Sequence, residues 1–297
     1  MKYRNVLRNF VFTFGFAAFV VLKSFSQNTN DSSIVHLDSL QSLGNLIQRG
    51  SNDSVRISAN RIFQDQLRNL LRQPRSTNLD SLKSISVVKS PDHSFTIITW
   101  QLPAYEGSYT FFGFIQLVNK KTHEPVVIEL IDSTSRMAKP EETRLQARNW
   151  FGAVYYKMLT NKKDGKYYYT LLGWKGNNPF TTQKVIDVLY FSGDKALFGF
   201  PLFKKDHVYK NRLIFEYPAQ AVMSLRYEEN KKMIVFDHLS SGKKNQNTSA
   251  INGPDGTYDA LRFKNGHWEI LEDIDVNTGF SPKAVKEKPL KDDELRK

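Results

Sequence analysis

The sequence predicts a mainly β protein, an antiparallel meander that forms a sandwich or a barrel-like body behind a short α-helical N-terminal region. Three observations predict this class. The aromatic residues, which include 13 Tyr and 21 Phe, cluster with Val, Ile and Thr in short runs that favour strands. Turn pairs such as Asn265-Gly266 separate these runs. Helical patterns do not alternate with the runs, which favours antiparallel pairing.

The first element, residues 1–26, has the pattern of a secretory signal peptide. A basic start precedes the uncharged apolar run Phe10 to Leu22, and Ser24-Phe25-Ser26 places small residues where a signal peptidase reads. The apolar run of 13 residues is shorter than the roughly 20 that cross a bilayer. We therefore expect cleavage after Ser26, with a retained signal anchor as the alternative. Since no Cys follows the cut, we do not expect a lipoprotein.

Export and composition restrict the class of protein further. We expect a soluble protein of the periplasm, the cell surface or the medium, because no later segment reaches spanning length. The net charge is +12, and removal of the four basic residues of the signal lowers it to +8. The remaining basic residues are scattered, so we expect no nucleic-acid partner. The absence of Cys excludes disulfides, thiolate nucleophiles and cysteine metal sites.

Residues 27–80 are predicted to form a helical region that packs on the β body. The longer helix has apolar residues at intervals of three and four, and it should end before Pro74. These apolar residues are Ile62, Phe63, Leu67, Leu70 and Leu71. A shorter helix is predicted from Leu37 to Ile47, with Asp38 or a neighbouring Ser as its N-cap.

Residues 81–280 are predicted to form one antiparallel β domain, and residues 281–297 a disordered charged tail. A single helix is expected within Lys139 to Arg148, because Pro140 and the two glutamates after it suit a first helical turn. Gly242 to Gly256 is predicted to be a polar loop. The predicted strands are Ile85 to Lys89, Phe95 to Leu102, Tyr109 to Val118, Pro125 to Ile131, Trp150 to Leu159, Lys166 to Trp174, Val185 to Phe191, Leu213 to Tyr217, Ala221 to Tyr227, Met233 to Asp237, Tyr258 to Phe263 and His267 to Leu271.

Candidate catalytic residues are sparse. Asp237 and His238 end an apolar strand, and His267 lies in another strand near the C-terminus. With Asp255 and Asp259, these side chains would form an acid–base cluster if they met in one concavity. No Gly-x-Ser-x-Gly elbow accompanies them, so we favour the interpretation of Asp237-His238 as a hydrogen-bonded histidine at a strand end.

The candidate ligand-binding residues are aromatic and polar. Trp174, Lys175, Asn177 and Asn178 are predicted to share one glycine-flanked loop, and loops on rigid sheets often carry binding residues. Together with Trp100, they would form a stacking platform for a sugar or another ligand. We favour the alternative, in which most of the tryptophans fill the core.

The candidate metal residues are Asp273, Asp275 and Asn277, which occupy positions 1, 3 and 5 of a calcium-loop pattern. The pattern then fails, since Thr278 stands where glycine is needed and Ala284 where a bidentate glutamate is needed. We therefore expect neither a metal nor another cofactor.

The chain resembles uncharacterised exported β-rich proteins of Bacteroidota-type bacteria. The resemblance spans about Ile85 to Asp275 and includes Trp150 to Tyr156, Tyr169 to Trp174 and Gly253 to Tyr258. It implies a single envelope-located domain and supplies no activity. Four Asp-Ser-apolar motifs are similar to glycan attachment sites in such bacteria, although Asp-Ser also begins helices. Their serines are Ser39, Ser54, Ser81 and Ser133.

Two functional hypotheses follow. The first is a noncatalytic protein that binds an envelope component or a partner protein through its β body. The second is an envelope hydrolase, or a carbohydrate-active or carbohydrate-binding protein, with an aromatic cleft. Whether His238, His267 and the Gly253 to Asp259 segment meet in one concavity separates the two hypotheses.

Overall fold

The computed structural model describes residues 29–73, 78–119, 122–205, 207–240 and 252–275. The predicted signal peptide and charged tail, and residues 242–251 of the predicted loop, lie outside the described residues. Within them the mainly β class is confirmed. The strands are β1 (Ser86–Lys89), β2 (Phe95–Pro103), β3 (Tyr109–Val118), β4 (Pro125–Ile131), β5 (Leu145–Gln146), β6 (Val154–Lys163), β7 (Lys166–Gly176), β8 (Thr181–Ser192), β9 (Lys195–Phe198), β10 (Phe203–Lys205), β11 (Val208–Lys210), β12 (Leu213–Pro218), β13 (Leu225–Glu228), β14 (Met233–Ser240), β15 (Gly253–Lys264) and β16 (His267–Ile274).

Two helices precede the strands, α1 (Thr29–Arg49) and α2 (Asp53–Leu71). The side chain of Asn52 accepts a hydrogen bond from the Val55 amide at 3.0 Å and so caps α2. Helix α1 begins before Leu37, so the prediction of Asp38 as an N-cap was wrong. The predicted apolar stripe of α2 is buried except at Ile62, which is exposed.

The strands form three sheets. The first sheet has the order β1-β2-β3-β4, and the central sheet has the order β5-β9-β8-β7-β6, with β12 paired to β8. The last sheet has the order β11-β10-β16-β15-β14-β13. Every pairing is antiparallel except that of β10 with β16, which is parallel. The Asn265-Gly266 hairpin sets the direction of β16, and its free edge then accepts the short strand β10.

Several local predictions were wrong, and the strand predicted from Trp150 begins only at Val154. Lys139 to Arg148 forms two 3₁₀ turns, Pro140–Glu142 and Ala147–Asn149, rather than one helix. The Arg212 guanidinium binds the carbonyl oxygens of Pro140 and Thr143, so these groups do not continue a helix. Residues 253–256 belong to β15 rather than to a loop. Strand β13 begins only at Leu225, because the Ala221 amide bonds the Pro218 carbonyl in a turn.

The elements stack as four layers: the helices, the first sheet, the central sheet and the last sheet. Phe63 of α2 packs with Ile98 and Trp100 on the outer face of the first sheet. The inner face of that sheet meets one face of the central sheet, and the last sheet covers the other face. Strands β7 and β8 are therefore buried on both faces, and their burial is nearly continuous rather than alternating.

Candidate binding groove

A groove of about 330 Å³ opens where β3, β7, β8 and β12 end near one another. We call it the aromatic groove. Its main lining residues are Tyr109, Trp174, Thr182, Lys184, Tyr217 and Val222. Trp174 and Lys184 are directly paired across β7 and β8, which places the indole of Trp174 beside the aliphatic part of the Lys184 side chain. The connection from β12 to β13 forms the outer wall.

The aromatic rings of the groove are held by close packing. The rings of Tyr109 and Trp174 meet edge to face, with their centroids 5.4 Å apart. This approach requires Gly176, because a Cβ atom there would lie 2.2 Å from Cδ2 of Tyr109. Tyr217 is almost fully buried, and burial raises its pKa although a hydrogen bond with Thr182 opposes the shift. The aromatic floor is therefore preorganised.

Lys184 is the charged group of the groove. Its ammonium lies 5.1 Å from the centroid of the Tyr156 ring, and burial lowers its pKa. Within the part of the chain that the structure describes, Lys184 takes part in no ion pair, whereas the nearby Glu216 accepts bonds from Asn177 and Gln183. The groove thus presents a partly desolvated positive charge beside aromatic rings.

Three large apolar side chains on the turns next to the groove remain in water, and one of them, Val222, lines the groove. Tyr105 is 85% exposed, Phe180 is 72% exposed and Val222 is 87% exposed. Their turns meet at the groove: the Ala219 amide bonds the Phe180 carbonyl at 2.8 Å, and Gly107 packs against Pro179. These three exposed apolar groups therefore lie on adjoining turns and are not scattered over the surface.

The predicted binding loop is shorter than expected. Trp174 and Lys175 lie within β7, so their prediction as loop residues was wrong. Asn177 and Asn178 do form the turn, but their side chains stabilise it. The amide of Asn177 donates to Thr181 Oγ1 and Glu216 Oε1. The side-chain oxygen of Asn178 accepts from the Phe180 and Thr181 amides.

Lys175 points away from the groove into the space between the first and central sheets. It is 3% exposed, and its ammonium donates to the Gly152 carbonyl at 2.7 Å and to Thr134 Oγ1 at 3.0 Å. The same ammonium lies 4.2 Å from the Phe111 ring centroid and 4.7 Å from that of Phe151. Burial lowers its pKa to about 8. Lys175 is therefore an internal packing residue and not a ligand contact on the surface.

Trp100 also lies away from the groove. It is 1% exposed, its indole nitrogen donates to Asn60 Oδ1 at 2.8 Å, and its ring stacks with Phe112. It belongs to the core between the helices and the first sheet. The alternative interpretation of this tryptophan as a core residue is therefore the one that fits its position.

The sequence analysis did not identify two polar contacts that hold strands in place, one made by the half-buried Asp132 and the other by the buried pair of Arg212 and Asp187. Asp132 accepts hydrogen bonds from the amides of Phe111, Thr134 and Gly152, and so ties the first sheet to the chain before β6. Elsewhere in the core, Arg212 lies 3.1 Å from Asp187 as a fully buried ion pair. Both acids lie in stretches that look ordinary in sequence, since their partners are distant along the chain.

Only some of the candidate catalytic residues lie close together. Nδ1 of His238 hydrogen-bonds Asp259 at 2.8 Å, and this bond raises the pKa of His238, with smaller contributions from Asp255 and Glu272. Asp237 instead accepts from the Ser224 amide at 2.8 Å. The His238–Asp259 pair lies near the middle of the β14–β15 ladder, where the register shifts.

His267 belongs to the opposite end of the last hairpin. It pairs with Lys264 beside the Asn265-Gly266 turn, and its ring bonds the Asn265 carbonyl and Glu269. Asp255 stabilises the local backbone of β15, because its side chain accepts hydrogen bonds from the Thr257 amide and hydroxyl. His238, Asp259 and Asp255 thus form one cluster, and His267 is separate from it.

The metal candidates do not form a site in the described part of the chain. The Asp273 amide donates to Asp259 Oδ1 at 2.9 Å, which fixes the end of β16. Asp275 is the last described residue, and Asn277 lies outside the described residues. Among residues 29–73, 78–119, 122–205, 207–240 and 252–275, no three His, Asp or Glu side chains are grouped to hold a metal ion.

The serines of the Asp-Ser motifs differ in accessibility. Ser54 and Ser81 are exposed. Ser39 is half-buried and donates to Gln66. Ser133 is buried and accepts from Arg136 at 2.9 Å, so a glycan on it would not fit this fold. Glycosylation at the two exposed positions stays a prediction.

The candidate binding residues of the sequence analysis do not include the rim residues, although one signal for them exists. Phe180 follows Asn177-Asn178-Pro179 at the tip of a hairpin, and Tyr105 stands next to Glu106-Gly107 in another turn. A large apolar side chain at a tight turn has little chance of burial. Tyr217 and Lys184 carry no such signal, because their alternation resembles that of any strand.

Comparisons with known proteins identify no relative of this chain. No family model, no curated protein and no solved structure matches the chain. None of the described helices has the length and apolar character needed to cross a membrane.

Proposed function

We propose that this protein is a noncatalytic, exported binding protein that takes a segment of a partner polypeptide into its aromatic groove. The observation that carries the proposal is the rim of Tyr105, Phe180 and Val222, three strongly exposed apolar side chains on turns that meet at one groove. Export, and a place in the bacterial envelope, rest on the signal-peptide pattern and on the resemblance described above.

The apolar rim supports a polypeptide partner. Exposed aromatic and aliphatic side chains around a concavity are typical of protein interfaces, where a few aromatic anchors supply most of the binding energy. Trp174 and Tyr109 offer a rigid aromatic wall to an inserted side chain. Their ordering costs little on binding, because packing already holds them.

The positive charge of Lys184 favours a partner segment that carries a negative charge. Its ammonium is partly desolvated, and it pairs with no carboxylate within the described chain. Burial removes water that would otherwise stabilise the ammonium charge. A carboxylate in the groove would stabilise that charge in place of the water. The partner segment should therefore carry a large apolar side chain next to an acidic residue or a free C-terminal carboxylate.

Selection of displayed random peptides tests this proposal. We expect enrichment of peptides that combine an aromatic or large aliphatic residue with a nearby carboxylate. The double variant Tyr105→Ser/Val222→Ser should bind them at least about tenfold more weakly, and Lys184→Gln should weaken them similarly. Fluorescence anisotropy with labelled peptides measures the affinity.

The chain offers a matched control for these substitutions. Tyr167 and Val208 are exposed residues of the same two types, and they lie near the start of β7 and at the start of β11, away from the turns that meet at the groove. The double variant Tyr167→Ser/Val208→Ser should therefore keep wild-type affinity. Equal binding by the two double variants would overturn the proposal, as would a failure of cross-linked pull-downs from native envelopes to recover a groove-dependent partner.

A second candidate function is hydrolysis, and the 2.8 Å bond between His238 and Asp259 favours it. An imidazole with a raised pKa beside a carboxylate is suited to proton transfer. If the pair were catalytic, His238→Gln would abolish turnover of ester or glycoside substrates and His267→Gln would not. Absence of turnover by the wild type, or equal turnover by both variants, would remove this candidate.

A further inference from the structure

A second concavity, of about 560 Å³, lies at the segment that joins the first sheet to the central sheet. Its lining includes Arg136, Met137, Lys139, Leu145, Arg148 and Asn149. We call it the basic pocket. It is separate from the aromatic groove, since the two share no lining residue.

Backbone pairing fixes the shape of the basic pocket. The amide of Ser133 bonds the Trp150 carbonyl at 2.9 Å, and the Trp150 amide bonds the Ile131 carbonyl at 2.9 Å. The two ends of the 133–149 segment are therefore tied together at its base. Arg136 ends the 3₁₀ turn Thr134–Arg136 and Arg148 lies in the 3₁₀ turn Ala147–Asn149, so both residues belong to one closed loop.

The basic pocket has unneutralised positive charge. Arg136 donates to the Ser133 hydroxyl, and Arg148 is exposed; among the described residues neither forms an ion pair with a carboxylate. The nearby acids are engaged elsewhere, since Glu142 pairs with Lys139 and Glu141 with Lys210. Two guanidinium groups are thus available to an oxyanion, for which their planar donor geometry is well suited.

The pocket also has an apolar part. Leu145 is buried beneath it, and Met137 packs against the core between the first and central sheets. A small inorganic anion would use the guanidinium groups but leave this apolar surface without contact. An amphiphile, with an oxyanion at one end and a hydrocarbon chain at the other, would use both.

We propose that the basic pocket binds an anionic amphiphile, with its phosphate or carboxylate group on Arg136 and Arg148 and its hydrocarbon chain against Met137 and Leu145. Such a ligand has two sources, a phospholipid in a membrane or a free amphiphile in solution. The chemistry recognised is the same in both.

Calorimetric titration with monomeric dodecyl phosphate, and cosedimentation with phosphatidylglycerol vesicles, test the two sources separately. The pocket variant is Arg136→Gln/Arg148→Gln. The control variant is Arg61→Gln/Arg262→Gln, which removes the same charge from exposed positions on α2 and β15. Circular dichroism establishes that both variants are folded.

We expect the pocket variant to lose at least about tenfold in affinity for the probe that the protein binds, and the control variant to bind like the wild type. Loss with dodecyl phosphate identifies a free amphiphile, and loss with vesicles alone identifies a membrane lipid. Equal binding by all three proteins would overturn the proposal, because it would reflect net charge only. Absence of saturable binding to both probes would overturn it as well.

Discussion

At the residue scale, Lys175 shows how a charge is accommodated inside a β sandwich. Its stem crosses the space between two sheets, and its ammonium reaches a carbonyl, a hydroxyl and two aromatic faces. Burial is the main cause of its lowered pKa, and the negative charge of Asp132 opposes the shift. The residue is therefore a source of pH-dependent stability.

We predict that this dependence appears at alkaline pH. Between pH 8 and 10.5, Lys175 is deprotonated in the folded chain and still protonated in the unfolded chain. The unfolded state then binds more protons, so this residue's contribution to the free energy of unfolding rises with pH. Compared with Lys175→Met, the wild type should gain up to about 3 kcal/mol across this range.

Urea denaturation at a series of pH values measures the difference. Lys166→Met is the control, since Lys166 lies exposed on the same strand. It should leave the pH profile unchanged. Parallel profiles for the wild type and Lys175→Met would contradict the assignment of the lowered pKa to Lys175.

The sequence analysis selected several residues of the kind that line binding sites, but it could not show toward which face of the sheet their side chains point. Trp174 was predicted as a binding residue and lines the groove, whereas Trp100 and Lys175 lie in the core. Periodicity could not separate these cases, because the strands near the groove are covered on both faces. Tyr217 joins the groove only through the β8–β12 pairing, which is a long-range contact.

At the element scale, the segment before β6 can pack closely against β3 only because residue 152 is glycine. A Cβ atom on Gly152 would lie 2.5 Å from Cβ of Phe111 and 2.6 Å from Cγ of Asp132. The carbonyl of Gly152 also holds Lys175. The approach of β3 to this segment therefore requires glycine, for steric reasons rather than for a special backbone conformation.

We predict that Gly152→Ala destabilises the protein by about 1–3 kcal/mol or more, because overpacking would displace Phe111 and Asp132 together. Gly253→Ala is the matched control, since the nearest atom to its added Cβ would lie 3.9 Å away. Thermal unfolding followed by circular dichroism compares the two. A similar midpoint for both variants would show that the segment can relax around a methyl group.

Most elements were predictable, and the exceptions have long-range causes. Hairpin turns with Asp164-Gly165 and Asn265-Gly266 mark strand ends clearly. The predicted helix at Pro140 failed because Arg212, 72 residues away, binds its carbonyl group. The parallel β10–β16 pair could not be foreseen, since pairing between distant strands leaves no periodic signal.

At the scale of the whole molecule, the central sheet shares its two faces with two other sheets. The helices, in contrast, contact the remainder through one face of the first sheet. The order of layers therefore implies an order of local stability, because amides deep in a structure open only with the global transition.

We predict that hydrogen exchange follows this order. Peptides from β7 and β8 should retain their amide protons longest, and peptides from α1 should exchange first among the regular elements. Mass spectrometry of exchanged peptides, scaled to a fully exchanged sample, measures this. Equal protection of α1 and β7 would contradict the layered hierarchy.

The continuous burial of β7 has a consequence for the chain before it folds. Residues 167–174, Tyr-Tyr-Tyr-Thr-Leu-Leu-Gly-Trp, are uncharged and rich in strand-forming side chains. A segment of this kind, exposed on an unfolded chain, is prone to pair with copies of itself and aggregate. Lysines flank it on both sides, at Lys166 and Lys175. The charge that the folded core must accommodate at Lys175 is thus the same charge that keeps the unfolded chain apart from its neighbours.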